Sequence, residues 1–213
     1  MPILFIESRE SKINLGVWKI EEDEEFFSSE LTDSMRLALG EMKGRRRIEY
    51  LASRHLLRNL LGAETEVMLS KDEFGKPYLE DQPQTFVSLS HTRGYAAAVV
   101  GSQPVGIDIQ VPVAKITRIA HKFIAPREYG DSLDQLTLEE MHLYWGAKES
   151  MFKIYGRKQM DFCQDLFVSQ LDLASGKGIG EVQKADFKRQ VALTFQVTDD
   201  FILVTGVLNP PTI

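Results

Sequence analysis

A single cysteine, Cys163, stands in 213 residues, so an internal disulfide is impossible and a reducing compartment is the natural setting. Its neighbours Phe162, Leu166, Phe167 and Val168 predict a buried structural thiol rather than a nucleophile. No stretch approaches the roughly 18 consecutive apolar residues that a membrane-spanning helix needs. The opening Met1-Pro2-Ile3-Leu4-Phe5-Ile6-Glu7 lacks the basic region and long apolar run of a secretory leader, so a cytoplasmic location without a membrane partner is expected. Basic residues are in the minority, 25 Lys and Arg against 31 Asp and Glu, for a net charge of −6 with His neutral. That balance argues against broad nucleic-acid binding and leaves room for a local basic site. A P-loop and a G-x-G-x-x-G turn are missing, and so is the G-x-S-x-G elbow of a serine hydrolase. His55, His121 and His142 show no metal-ligand spacing.

What is present is ordinary globular composition, 43% hydrophobic and 26% charged, enough for one large domain or two of about 100 residues. Strands are expected at 2–8, 13–20, 66–70, 85–90, 95–101 and 105–109, and again near 165–171, 180–184, 191–197 and 201–207. The acidic stretch 21–30 reads as a loop or helix start. A helix is expected over 43–61, where Ile48, Leu51, Ala52, Leu56, Leu60 and Leu61 form an apolar face and Gly62 ends it. Helical signals return at 116–124. A longer helix is expected over 138–155, with Thr137 as N-cap, Glu140 completing a capping box and Gly156 as the stop. Helices and strands are grouped rather than strictly alternating, which favours an α+β fold. The two halves repeat a similar order of elements, which hints at a duplication with a seam at 101–104 and halves at 1–102 and 103–213.

Four segments carry chemistry. In Val105-Gly106-Ile107-Asp108-Ile109-Gln110, Asp108 and Gln110 share one strand face, and a carboxylate inside so apolar a strand demands a partner: a metal ion, or a turn it caps. In Trp145-Gly146-Ala147-Lys148-Glu149-Ser150-Met151-Phe152-Lys153, Glu149 and Lys153 are helical i, i+4 neighbours; alone, that is a surface ion pair worth about 0.3–0.5 kcal/mol. Six basic residues, Lys43, Arg45, Arg46, Arg47, Arg54 and Arg58, face the lone acid Glu49 over 42–58. Arg47, Arg54 and Arg58 fall on one helix face, either a phosphate grip or a solvated surface. Ser88-Leu89-Ser90-His91-Thr92 sets hydroxyls and an imidazole at a strand end, where phosphate oxygens could bind.

The ordered set Gly75-Lys76-Pro77, Ser90-His91, Gly106-Ile107-Asp108 and Trp145-x-x-Lys148-Glu149-Ser150-x-x-Lys153 resembles the 4′-phosphopantetheinyl transferase family of the larger, Sfp-like type. The resemblance spans about 45–153, and its most specific parts are the G-I-D and W-x-x-K-E motifs. It implies two similar α+β halves related by a pseudo-two-fold axis, with coenzyme A between them. It also implies Mg²⁺-dependent transfer of phosphopantetheine from coenzyme A to a serine of an acyl or peptidyl carrier protein, releasing 3′,5′-ADP, in fatty-acid, polyketide or nonribosomal-peptide biosynthesis. On that resemblance Asp108 and Glu149 are the metal carboxylates. Gln110, where family members often carry Glu, offers an amide oxygen or orients a metal-bound water. Glu149 is the general base and Lys153 holds the diphosphate, with help from Lys148. Lys76, Ser90 and His91 contact coenzyme A, and Arg47 and Arg54 take its 3′-phosphate.

Residues 111–127 carry Lys115, Arg118, Lys122 and Arg127 and no acid, interleaved with Ile116, Ile119, Phe123 and Ile124. An acidic apo carrier protein is expected to dock there, near Lys115, Arg118 and Phe123. A monomer is expected, since two halves in one chain can form the cleft. Two other readings remain open at this point: a noncatalytic coenzyme A or carrier-binding module, and a Mg²⁺-dependent nuclease, although such nucleases usually set the second acid and the lysine two apart on a strand.

Overall fold

The computed structural model describes residues 3–9, 13–27, 29, 31–62 and 67–209, the first stretch by its backbone alone. The expected strand start at Pro2, the loop positions Ser28 and Glu30, and the strand start at Glu66 lie outside them. Strands β1 (Ile3–Arg9) and β2 (Ile13–Lys19) come first, then helices α1 (Asp33–Gly40) and α2 (Arg45–Leu60). A small hairpin follows, β3 (Leu69–Lys71) and β4 (Pro77–Leu79), then β5 (Phe86–Thr92) and β6 (Tyr95–Gly101). The remainder is β7 (Val105–Gln110), helix α3 (Leu138–Tyr155), β8 (Leu166–Asp172), β9 (Lys177–Lys184), β10 (Phe187–Val197) and β11 (Ile202–Leu208). One antiparallel sheet runs β1-β2-β6-β5 and a second runs β7-β11-β10-β9-β8. The fold is α+β, as the grouping of elements predicts.

Side-chain alternation turns these sheets into inner layers. On β6, Ala96, Ala98 and Val100 face Leu51, Ala52 and Leu56 of α2. Their neighbours Tyr95, Ala97 and Val99 face Val105, Ile107, Ile109 and Leu203 of the second sheet. Both faces of β6 are therefore buried, and its small alanines let the layers approach closely. Beyond the second sheet, Val191, Leu193, Ile202 and Val204 pack on Leu143, Ala147, Met151 and Ile154 of α3. The order of layers is helix, sheet, sheet, helix. Each fully buried leucine or isoleucine in these clusters contributes about 1.5–3 kcal/mol.

Helix α3 begins and ends where its sequence signals place it. The Thr137 hydroxyl accepts the Glu140 N–H at 3.2 Å, and the Glu140 carboxylate accepts the Thr137 N–H at 2.8 Å. Gly156 closes the helix at φ 72°, a left-handed conformation that glycine adopts without a Cβ penalty. One element was not expected and one expectation is corrected. Helix α1 has no counterpart in the sequence reading, although Thr32 caps it by accepting the Met35 N–H. Residues 116–124 form not one amphipathic helix but two tight 3-10 turns, Ala114–Arg118 and Ala120–Lys122. They are closed by bonds three residues apart, such as Ile119 N–H to the Ile116 carbonyl. The expected strand ending at Ser70 is one arm of the β3–β4 hairpin, whose turn is held by the Asp72 carboxylate accepting from Phe74 and Lys76 N–H. Among the described residues, no helix is long and apolar enough to cross a membrane.

Candidate active site

The site forms where the edge strands of the two sheets meet. One edge of β7 pairs with β11. On its other side, the Ile107 N–H is accepted by the Ser88 hydroxyl at 3.2 Å and the Ile109 N–H by the Ser90 hydroxyl at 3.3 Å. Two serines at alternate positions of β5 thus satisfy strand donors that would otherwise be orphaned. The Ser90 hydroxyl donates in turn to Asp108 Oδ1 at 3.0 Å. Asp108 and Ser90 are both buried. Ser90, expected to contact coenzyme A, instead ties the sheets together and holds Asp108. Ser90→Ala should lower stability by about 1–2 kcal/mol in urea denaturation, because the Ile109 N–H loses its acceptor; an unchanged midpoint would show that water replaces the hydroxyl.

Helix α3 crosses β7 at Gly106. A methyl group there would overlap the backbone carbonyl of Ser150, and the Ser150 hydroxyl is itself bonded to the Val204 carbonyl at 3.0 Å. Backbone meets backbone, so neither neighbour has a rotamer with which to yield. Gly106→Ala should cost about 2–3 kcal/mol and shift α3 on the sheet. A melting temperature equal to that of the parent would refute the close approach. At Gly146, one turn before Glu149, an added methyl would crowd Val204 and the Gln110 amide, so α3 is seated by two glycine contacts.

This seating brings Glu149 and Lys153 over Asp108. Lys153 Nζ donates to Asp108 Oδ1 at 3.0 Å and to the Ile107 carbonyl at 2.6 Å. The surface pair expected between Glu149 and Lys153 gives way to a bond from helix to strand. Burial pushes the Glu149 carboxyl above its ordinary range, the Asp108 charge adds to that rise, and Lys153 opposes it. The two acids, distant in sequence, therefore feel each other's charge at one half-buried spot served by a single lysine.

Gln110 lies beside Asp108 with its amide turned away from the expected ligand geometry. Its –NH₂ donates to Asp108 Oδ2 at 3.3 Å and to the His142 carbonyl at 2.9 Å, while Oε1 lies 2.6 Å from His142 Nδ1. The oxygen proposed for a cation is engaged elsewhere. Among the described residues, no three His, Cys, Asp or Glu side chains converge on a metal-sized space. His91, half-exposed, pairs with the buried Glu49 of α2 at 3.1 Å. Lys76 Nζ donates to the Ile154 carbonyl at 2.6 Å, binding the β3–β4 turn to the end of α3, and burial lowers its pKa.

Other expectations are redirected. Lys148 is fully buried, its Nζ 2.5 Å from Glu128 Oε2 and 2.9 Å from the Phe162 carbonyl, so it cannot reach a ligand. The helix face carrying Glu149 and Lys153 points to β7, and Lys148, 100° around, points into the core. The Arg47 guanidinium is occupied by the Glu24 carboxylate and the Leu39 and Met42 carbonyls. Arg54 lies over the Tyr50 ring and, with Arg58, lines a cavity of about 460 Å³ between α1, α2 and the β3–β4 hairpin. That cavity's lining includes none of Lys76, Ser90, His91, Asp108 or Glu149. Cys163 is half-buried on a turn rather than enclosed, and burial raises its thiol pKa, away from nucleophilic character. Phe123 is buried against Trp145. The exposed groups of that segment include Lys115, Arg118, Lys122 and Arg127. Sequence reading gave no site role to Glu128 or His142, and it read Ser88 as a phosphate-binding hydroxyl where the structure shows a tie to β7. Glu49, the lone acid in a basic run, was a signal that could have been followed.

Two family models match in tandem. Residues 36–101 match the 4′-phosphopantetheinyl transferase N-terminal domain, and residues 104–204, which hold Asp108, Glu149 and Lys153, match the 4′-phosphopantetheinyl transferase superfamily. The chain belongs to the 4′-phosphopantetheinyl transferase superfamily. Its Sfp-like character shows in three relatives. It is 34% identical over 98 residues to 4′-phosphopantetheinyl transferase Sfp of Bacillus subtilis, covering 44% of this chain and 43% of that one. It is 37% identical over 89 residues to another Bacillus subtilis 4′-phosphopantetheinyl transferase, 40% of this chain and 39% of that one. With 4′-phosphopantetheinyl transferase psf-1 of Bacillus pumilus it is 29% identical over 131 residues, 60% and 52% of the two chains. The matched stretches thus span two-fifths to about half the length of these superfamily members.

Proposed function

We propose that this protein, as a cytoplasmic monomer, transfers 4′-phosphopantetheine from coenzyme A to a serine of an acyl or peptidyl carrier protein in a Mg²⁺-dependent reaction, releasing 3′,5′-ADP. The observation that supports this reading is the meeting of Asp108, Glu149 and Lys153 at the junction of β7 and α3. The names of the relatives describe 4′-phosphopantetheinyl transfer for those proteins.

The donor set suits Mg²⁺. Two carboxylates, hard oxygen donors served by one lysine, leave negative charge uncompensated at a half-buried spot, and Mg²⁺ commonly takes one or two carboxylates with waters and phosphate oxygens. Asp108 and Glu149 would hold the ion, which supplies neutralisation of the diphosphate charge. Lys153 would hold the diphosphate as a point charge. In the transfer, the serine oxygen forms a bond to phosphorus, the phosphorus–oxygen bond to 3′,5′-ADP breaks, and the serine proton passes to Glu149 directly or through a water. Ser90 keeps Asp108 oriented through its 3.0 Å bond.

For the carrier, a shallow cavity of about 440 Å³ is lined by Ile119, Phe123, Trp145, Met160 and Phe162 with Lys122 and Asp161 among its polar groups, and Lys115, Arg118 and Arg127 are exposed on the same segment as Lys122. Cations on the segment that lines an apolar depression complement an acidic partner with an apolar contact patch. Lys115→Glu with Arg118→Glu should raise the KM for the carrier about tenfold and weaken its salt dependence, leaving the KM for coenzyme A unchanged.

The deciding experiment incubates the protein with coenzyme A, Mg²⁺ and a panel of apo carriers, read by intact mass. The expected result is gain of one phosphopantetheinyl group on at least one carrier. Coenzyme A binding without transfer to any carrier that a control transferase modifies would leave a noncatalytic module instead.

A further inference from the structure

His142 is buried on α3, on the far side of Gln110 from Asp108, and makes two bonds that fix one another. An amide oxygen only accepts, so the 2.6 Å contact between His142 Nδ1 and Gln110 Oε1 requires a proton on Nδ1. Nε2 of the neutral ring is then a bare acceptor, and the Val113 N–H donates to it at 2.9 Å, a shorter contact than the 3.3 Å to the Val113 carbonyl that the opposite tautomer would use. On its other end, the Gln110 –NH₂ meets two pure acceptors, Asp108 Oδ2 at 3.3 Å and the His142 carbonyl at 2.9 Å. Turning the amide over would set its oxygen against both acceptors and its –NH₂ against the Nδ1 proton. One arrangement satisfies every group, and its far anchor is the backbone of Val113, just beyond β7.

We propose that His142 is a positioning residue that locks the Gln110 amide with its –NH₂ toward Asp108, so that position 110 serves the carboxylate site as a hydrogen-bond donor and not as a metal ligand. The inference rests on the transferase reading for its consequence, and its geometry is testable apart from that reading. Gln110 steadies the Asp108 oxygen that Ser90 and Lys153 leave free, and it adds no negative charge. His142 touches neither the reacting groups nor solvent and acts only through Gln110.

Two measurements test it. Long-range ¹H–¹⁵N correlation of the imidazoles at neutral pH, with His142 assigned by the loss of its signals in His142→Asn, should show Nδ1 protonated and Nε2 bare. The reverse tautomer overturns the proposal whatever the protein catalyses. The second measurement is the Mg²⁺ concentration giving half-maximal transfer. His142→Phe should raise it about tenfold, His142→Asn, which keeps a donor near the Nδ1 position, should return it toward the parent value, and His142→Phe should add nothing in a Gln110→Ala background. Equal Mg²⁺ requirements for parent and His142→Phe, or additive effects in the double variant, overturn it. Should the parent modify no carrier, the functional reading falls and the tautomer alone decides the positioning role.

Discussion

Glu149→Gln should leave apo carrier unmodified, with transfer reduced at least a thousandfold, about 4 kcal/mol in the barrier, and the fold intact. The Glu149 carboxyl is pushed up by burial and by Asp108, so the neutral amide relieves repulsion rather than breaking a bond. Its thermal midpoint should equal or slightly exceed that of the parent, which makes it the clean variant of the pair. Asp108→Asn should lose as much activity and some stability as well. Its retained oxygen still accepts from Ser90 and Lys153, but its new –NH₂ faces the Gln110 –NH₂, donor against donor, where Oδ2 now accepts at 3.3 Å. Activity is followed by intact mass at saturating Mg²⁺, and folding by circular dichroism. Glu149→Gln retaining more than a tenth of parental transfer would remove Glu149 from the chemistry.

Much of this site was legible because short-range patterns encode it. The capping box at Thr137 and Glu140 and the stop at Gly156 set the ends of α3, and the three-fold and four-fold spacings along it put Glu149 and Lys153 on one side. An aspartate within the apolar strand 105–110 demanded a partner, and Lys153 and Ser90 answer that demand. The partners themselves were harder to read. Which cation faces Asp108 depends on how α3 rotates over β7, and that rotation is set by Gly106 and Gly146 meeting backbone and side chains far along the chain. Arg47 reads as a phosphate ligand until Glu24, folded back from a distant loop, claims it. Ser88 and Ser90 read as ligand-binding hydroxyls because nothing local reveals that β5 and β7 would be facing edges of two sheets. The segment 111–127 shows hydrophobic periodicity, yet 3-10 turns bury Ile116 and Phe123 as well as a helix would, so periodicity alone could not choose between them.

Lys148→Met should destabilise the protein by about 3–5 kcal/mol and leave the KM for coenzyme A unchanged in the folded fraction. The sequence motif places Lys148 next to Glu149 and invites a ligand-binding role, but the side chain enters the core and meets Glu128, which is itself almost fully buried. Glu128 is saturated: Oε1 accepts the Val168 N–H at 2.7 Å, Oε2 accepts the Ala125 N–H at 2.7 Å and Lys148 Nζ, and its backbone carbonyl accepts the Tyr144 hydroxyl. Methionine fills nearly the same volume, so the loss would come from an uncompensated carboxylate rather than a cavity. Because that carboxylate also serves two backbone donors, Glu128→Ala should cost at least as much as Lys148→Met. In the double variant the costs should fall well short of their sum, since the first change already removes the pair. Urea denaturation of the four proteins measures this coupling. Lys148→Met within about 1 kcal/mol of the parent, with a raised KM for coenzyme A, would return Lys148 to the ligand and leave Glu128 as a capping group for 125–128 alone.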